Sequence, residues 1–309
     1  MTQKAQHIAV IGAGLMGHGI ALTFARAGHH VAIADPAAAM LASCPERIAE
    51  SLALLGAAAD EVSDTLARVT LAKDLASAVS YANAVFEAAP EKLDLKQQIF
   101  AEIEAHAPSD AILASNTSVI QISKIVSGLS GRHRALGTHW WNPPHMIPLV
   151  EVVKTEWTDP ALAQRMFDLL AQVGKTPAMV EKDVPGFIGN RLQHALWREA
   201  ISLVENGICD AETVDNVVKA SFGRRLAVLG PLENADLVGL ELTQDIHNQV
   251  LSDLEVSGAP SPYLQKMRDA GRSGMATGAG LRDWKPRDLE KTKARVADHL
   301  RKLEQILPD

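Results

Sequence analysis

The chain contains only two cysteines in 309 residues. Cys44 and Cys209 lie far apart, with neither the pairing of a disulfide framework nor the spacing of a metal-ligand set. No metal site is expected. No apolar run approaches the length of a membrane span. The opening stretch "MTQKAQHIAVIGAG" enters a strand pattern directly, without the hydrophobic core of a signal peptide. Positive charge is short as well, with 30 Lys and Arg against 37 Asp and Glu and a net charge of −7. That balance argues against nucleic acid or an anionic membrane as partner. A reducing, cytoplasmic setting is the expectation. Composition is otherwise that of a globular protein, long enough for one large domain or two ordinary ones.

The first half alternates short β-rich runs with helical ones. Strands are predicted at 7–12, 30–35, 68–72, 83–89, 111–116, 134–140, 148–153 and 176–182, with helices between several of them, as at 15–27, 46–56, 94–106 and 160–173. This rhythm predicts a largely parallel, doubly wound sheet covered on both faces. Beyond "DVPGFIGNRL" (183–192) strand patterns stop and helical spacing takes over, with Phe187, Leu192, Leu196, Ile201 and Val204 on one face. The boundary is placed at Pro185–Gly186. The predicted architecture is α/β, a doubly wound domain over 1–184 followed by an all-α domain over 185–309.

Directly after the first strand, "GAGLMG" supplies Gly12, Gly14, Leu15, Met16 and Gly17 in the G-x-G-x-x-G pattern. Gly12 permits a tight turn, Gly14 lets a pyrophosphate approach the backbone, and Gly17 allows close contact of helix and strand. The helix that follows offers unpaired N–H groups to phosphate. Asp35 ends the next strand, 21 residues beyond Gly14, where it can accept hydrogen bonds from ribose hydroxyls and repel a 2′-phosphate. The following "PAAAM" has no arginine to hold such a phosphate. A Rossmann-type NAD site is the prediction.

Four further stretches carry polar residues suited to chemistry: "ASNTSV" (114–119), "HWWNPPHMIPLVE" (139–151), "PGFIGNRL" (185–192) and "GPLENADLVGLELT" (230–243). Their order and spacing resemble the 3-hydroxyacyl-CoA dehydrogenase family, including its gulonate, carnitine and lambda-crystallin branch, over essentially the whole chain. The resemblance implies an NAD-dependent enzyme that oxidises an L-3-hydroxy group to the 3-oxo product by hydride transfer. It maps a catalytic set onto Ser118, His139, Glu151 and Asn190. A hydroxyl proton must leave as hydride departs, and a positioned base contributes ~10²–10⁴-fold. Histidine suits that task because its ordinary pKa lies near ~6.5. Glu151 would fix the tautomer of His139, while Ser118 and Asn190 would hold the reacting oxygen or a neighbouring carbonyl. The resemblance also places Glu91, Lys96 and Asn116 by the nicotinamide, and implies a homodimer with a small-molecule substrate bound between the domains. Lys96 could equally lie on a solvated helix face. Trp141 is a candidate substrate contact, although both Trp140 and Trp141 could simply pack.

The substrate is a free 3-hydroxy acid or its CoA thioester. Residues 36–90 contain only Arg47, Arg68 and Lys73 against seven acids, a poor surface for the anionic end of CoA. The double proline in "HWWNPP" resembles the gulonate-like branch, where acyl-CoA enzymes tend to read "HFFNPV". Arg225 lies where that branch carries an arginine suited to clamping a carboxylate. The spelling "SNTS" is closer to the acyl-CoA enzymes. Two departures bear on the pocket: Gly189 in "FIGN" replaces a commonly branched residue, and Leu281 and Arg282 replace two aromatics. A non-catalytic, crystallin-like NAD-binding protein is a further alternative, disfavoured by the intact four-residue set.

Overall fold

Short apolar runs bounded by turns pair into one eight-stranded sheet in the computed structural model, which describes residues 5–307. Residues 1–4 and 308–309, the extreme ends of the two expected domains, lie outside the described residues. The strands are β1 (His7–Ile11), β2 (His30–Ala34), β3 (Val69–Leu71), β4 (Ala84–Glu87), β5 (Ile112–Ser115), β6 (Ala135–Trp140), β7 (Leu149–Val153) and β8 (Thr176–Val180). Their order is β3-β2-β1-β4-β5-β6-β7-β8. The first six are parallel, as crossover helices require. Only residues 141–148 separate β6 from β7, too few for a crossover, and β7 accordingly runs antiparallel. β8 then lies parallel to β7.

Helices α1 (Leu15–Arg26), α2 (Ala38–Ala42), α3 (Cys44–Leu54), α4 (Ala59–Leu66), α5 (Leu75–Val79), α6 (Leu93–His106), α7 (Ile122–Val126) and α8 (Pro160–Gln172) belong to the same unit. Alternation along β1 sends Ile8 and Val10 to one core, with Phe24 of α1, Leu52 of α3 and Met166 of α8. Ala9 and Ile11 enter the other, with Val79 of α5, Phe100 of α6 and Val126 of α7. Both faces of the sheet are therefore covered, as its continuous apolar strands require.

The chain divides into two compact units, Met1–Arg191 and Leu192–Asp309. The division falls in the first turn of α9 (Gly189–Glu205). After it come α10 (Ala211–Ala220), α11 (Pro231–Val238), α12 (Leu240–Val250), α13 (Pro262–Asp269) and α14 (Asp288–Ile306). Phe187 does not lie on the helical face that its spacing suggests. Its φ of 50° puts it in a turn before α9, and it is buried in the core of the first unit. Among the described residues beyond 191, no hydrophobic side chain is buried. No helix of the described residues is long and apolar enough to cross a membrane.

Candidate active site

The glycine-rich turn leaves β1 with Gly12 at φ +105°, and a Cβ there would meet the Ala88 carbonyl at 2.7 Å. A Cβ on Gly17 would fall onto the Gly12 carbonyl oxygen, so α1 can approach the strand only with glycine. Gly14 differs from both: nothing lies within 4 Å of where its Cβ would stand. It is the N-cap of α1 and makes no side-chain cap bond, so no side chain competes for the first-turn N–H groups. Leu15 is 62% exposed, whereas Met16 packs against the core. At the end of β2, the two carboxylate oxygens of Asp35 accept from the backbone N–H groups of Ala13 at 2.7 Å and Ala37 at 2.8 Å. Each oxygen keeps a further lone pair for a ribose hydroxyl. An open cradle, uncapped helix N–H groups and an anchored acid fit a dinucleotide.

Arg47 of α3 explains how that turn is held. Its guanidinium donates to the carbonyls of Ala13 at 2.6 Å, Met40 at 2.9 Å and Gly14 at 3.3 Å. Its Nε donates to the Ser43 hydroxyl at 3.3 Å. The sequence offers Arg47 as a basic residue for a nucleotide phosphate; the structure uses it to brace the cofactor turn from behind.

β6 and β7 bring His139 and Glu151 directly opposite each other in register. His139 Nδ1 lies 2.7 Å from Glu151 Oε2, with 4% and 1% of the side chains exposed. A carboxylate only accepts, so Nδ1 carries a proton, which in the neutral imidazole leaves the lone pair on Nε2. Glu151 Oε1 accepts from the backbone N–H groups of Ile188 at 2.8 Å and Gly189 at 3.0 Å. Burial raises the Glu151 carboxyl, but the His139 bond and these two N–H donors outweigh it and hold the group below its ordinary value. The pair is buried and fixed in orientation.

The two adjacent tryptophans separate by strand alternation. Trp140, 2% exposed, packs edge-on against Phe24 and Phe86 in one core. Trp141 shares the face of His139, with ring centroids 5.3 Å apart. Trp140 is therefore a core residue and Trp141 a neighbour of the histidine.

Ser118 sits in the turn after β5, its backbone held at both ends. Its N–H donates to Glu91 Oε1 at 3.0 Å and its carbonyl accepts from Asn190 Nδ2 at 2.9 Å. Glu91 also accepts from the Thr117 hydroxyl and the Val119 N–H. Burial raises the Glu91 carboxyl, but these donors and the Lys96 ammonium bring it below its ordinary value. Asn116 Oδ1 accepts the backbone N–H of Trp140 at 3.0 Å, tying the ends of β5 and β6 together.

The solvated-face reading of Lys96 is corrected. Its side chain is 0% exposed, and its ammonium lies 2.7 Å from Glu87 Oε1 and 3.5 Å from Glu91 Oε2. It also donates to the Ala89 carbonyl at 3.2 Å. Glu87, fully buried, accepts in turn from the Ser115 hydroxyl at 2.6 Å and the Ala89 N–H at 2.7 Å. Neither Glu87 nor the bracing by Arg47 stands out in sequence, where one is an ordinary strand residue and the other an ordinary helix residue.

In the helical unit, Arg225 is exposed at the end of the turn Phe222–Arg224, and no ion pair engages it among the described residues. Arg282, which departs from the family pattern, pairs with Asp215 at 2.8 Å and Glu212 at 3.2 Å and lies over the Trp284 ring. It staples its own loop to α10.

Comparison with known proteins identifies the family. Residues 7–184 match the model of the 3-hydroxyacyl-CoA dehydrogenase NAD binding domain, and residues 186–284 that of the C-terminal domain. A 5-formyl-3-hydroxy-2-methylpyridine 4-carboxylate 5-dehydrogenase from Mesorhizobium japonicum is 37% identical, covering 96% of each chain. A crystal structure described as 5-formyl-3-hydroxy-2-methylpyridine 4-carboxylic acid 5-dehydrogenase, an NAD+ dependent dismutase, matches with a TM-score of 0.90. That match is 33% identical over 98% of each chain. The mitochondrial hydroxyacyl-coenzyme A dehydrogenase of Homo sapiens is 35% identical, over 91% of each chain. With its glycine turn, Asp35 and two-part fold, this chain belongs to the 3-hydroxyacyl-CoA dehydrogenase family and is an NAD-dependent oxidoreductase.

Proposed function

We propose that the chain oxidises the carbinol carbon of a small free hydroxy acid, with His139 as the general base. The observation that carries this reading is the buried His139–Glu151 pair. Nε2 of His139 takes the hydroxyl proton, and Glu151 stabilises the imidazolium formed. NAD, when bound, accepts the hydride. Ser118 and Asn190, whose backbone and side chain are already joined, orient the oxygen or its neighbouring carbonyl. Glu91, Lys96 and Asn116 shape the turn beside the nicotinamide.

Three observations favour a free acid over a CoA thioester. Residues 36–90 carry a net excess of acids. Arg47, the basic residue of α3, has its guanidinium directed to backbone carbonyls. The Mesorhizobium relative is named for a pyridine carboxylate without CoA. An aldehyde hydrate presents the same H–C–O–H unit as a secondary alcohol, so one base serves both. Arg225, exposed and without an ion pair, is the residue this reading assigns to the substrate carboxylate. The human relative supports the thioester as the second reading.

We assign cofactor binding to 1–184 and substrate binding and self-association to 185–309. A homodimer is proposed from the helical unit, where Leu232, Leu237 and Leu240 are 80%, 72% and 62% exposed. A cytoplasmic setting fits the free thiols of Cys44 and Cys209.

The test is NADH oxidation at 340 nm with acetoacetate and acetoacetyl-CoA at matched concentration, and NAD reduction with the formyl-pyridine carboxylate. Turnover confined to the free acids is the expected result. Turnover with the thioester alone overturns the free-acid reading, and NADH binding without turnover of any compound supports a non-catalytic role.

A further inference from the structure

We infer that Trp141 and Gly189 are a size-matched pair that positions the His139 imidazole, the indole occupying the space that any side chain on residue 189 would need. The inference rests on the reading of His139 as the base.

The geometry is specific. A Cβ built on Gly189 would stand 2.4 Å from Trp141 Cζ2, 3.2 Å from Cε2 and 3.3 Å from Cη2. Those atoms belong to a rigid fused ring, so no flexible end can swing away. Backbone conformation does not demand glycine here, since residue 189 is not among the glycines with positive φ. Helix propensity argues against it as well, because glycine is a poor residue in the α9 turn that it opens. Space for the indole is the remaining reason.

Both ways of relieving a clash at 189 reach the proposed acid–base pair. The indole lies against the His139 ring, with centroids 5.3 Å apart and planes at 52°. Phe187 lies against the same imidazole, at 5.6 Å. An indole pushed off residue 189 would therefore press on a histidine already in contact with a second ring. If the backbone yielded instead, the Gly189 N–H would leave Glu151 Oε1, to which it donates at 3.0 Å. The carboxylate that orients His139 would lose one of its two backbone donors. Trp141 Nε1 is buried without a partner, so the indole contributes bulk within the protein rather than a hydrogen bond. Gly189, a departure in sequence, and Trp141, a candidate substrate contact there, become one feature in space.

The test is a double-mutant cycle on the full chain: wild type, W141F, G189V and W141F/G189V. Each is measured for kcat, KM and the pH dependence of kcat/KM with the compound turned over in the panel above, and for NADH affinity by fluorescence titration. G189V is expected to lose roughly 100-fold in kcat, the scale of a misplaced catalytic group. Its NADH affinity should stay within about twofold of wild type, because the cofactor turn is untouched. W141F/G189V is expected to recover at least about tenfold over G189V, since the smaller ring releases the clash. The His139 Nδ1–H resonance, which needs no substrate, should be displaced in G189V and restored in the double variant. Should G189V not fold, G189A brings the same Cβ to the indole and replaces it in the cycle.

A G189V rate within about threefold of wild type, or additive losses in the double variant, overturns the pairing. H139Q separates the two readings. Rescue in the cycle with an active H139Q leaves the pair standing and removes the base assignment. An inactive H139Q with additive losses does the reverse.

Discussion

Up to residue 191 the chain buries Phe24, Phe86 and Phe100 completely, and even the ammonium of Lys96, whereas the described residues beyond 191 bury no hydrophobic side chain. The difference lies in how each unit closes its apolar surface. A sheet covered on both faces by helices completes its cores from its own chain. The helices of the second unit leave Trp197, Leu237 and Leu240 at 48%, 72% and 62% exposure. A helix that keeps such an apolar face open is completed by a further surface. A second copy of the chain is the occupant proposed above. The first unit can thus hold charges inside, where their pairing is decided by its own residues, while the second keeps its large apolar side chains at its surface.

The largest effect expected from that contrast is at Lys96. Lys96→Met leaves Glu87 buried and without its cation, and should cost about 3–5 kcal/mol in urea unfolding. A loss below about 1 kcal/mol would mean that Glu87 is not committed to a charged interior.

Next comes His145, in the turn between β6 and β7. Burial, aided by His18 and Lys175, pushes its imidazole from 6.5 down to about 4. The unfolded chain takes up a proton on this residue below its ordinary value, while the native state refuses it until about pH 4. The unfolded state therefore binds more protons across this window, and stability falls as the pH drops through it, by up to ~3 kcal/mol. His145→Asn should flatten that slope in pH-dependent melting, and an unchanged slope would remove His145 as its source.

The smallest effect concerns the open unit. Leu237→Asp with Leu240→Asp should weaken self-association at least about tenfold in sedimentation equilibrium. A monomeric wild type would break the comparison itself.

Much of the α/β unit is legible in sequence because its signals are local. Each strand is a short apolar run between turn residues, and all eight appear where those runs lie. The glycine turn is legible because Gly12 and Gly17 meet steric demands that no other residue satisfies. α5 and α7 are harder to read, since five residues contain too little of a 3.6-residue period. Phe187 misleads for a related reason: its spacing from Leu192 suits a helix, but its turn sends it back to His139. The interactions formed by distant residues were not legible. Lys96 reads equally as a residue by the nicotinamide or on a helix surface until the fold sets Glu87 beside it, and Arg47 reads as an unengaged cation until its guanidinium meets three backbone carbonyls. His139 and Glu151 could be paired from sequence only by family resemblance and the turn between them.

The reading proposed above gives the proton transfer to the buried histidine of this pair. The most direct measurement is single-turnover hydride transfer in His139→Gln, alongside its NADH dissociation constant. The rate is expected to fall by ~10²–10⁴-fold with NADH affinity essentially unchanged. A near-wild-type rate, with cofactor affinity intact, would contradict it.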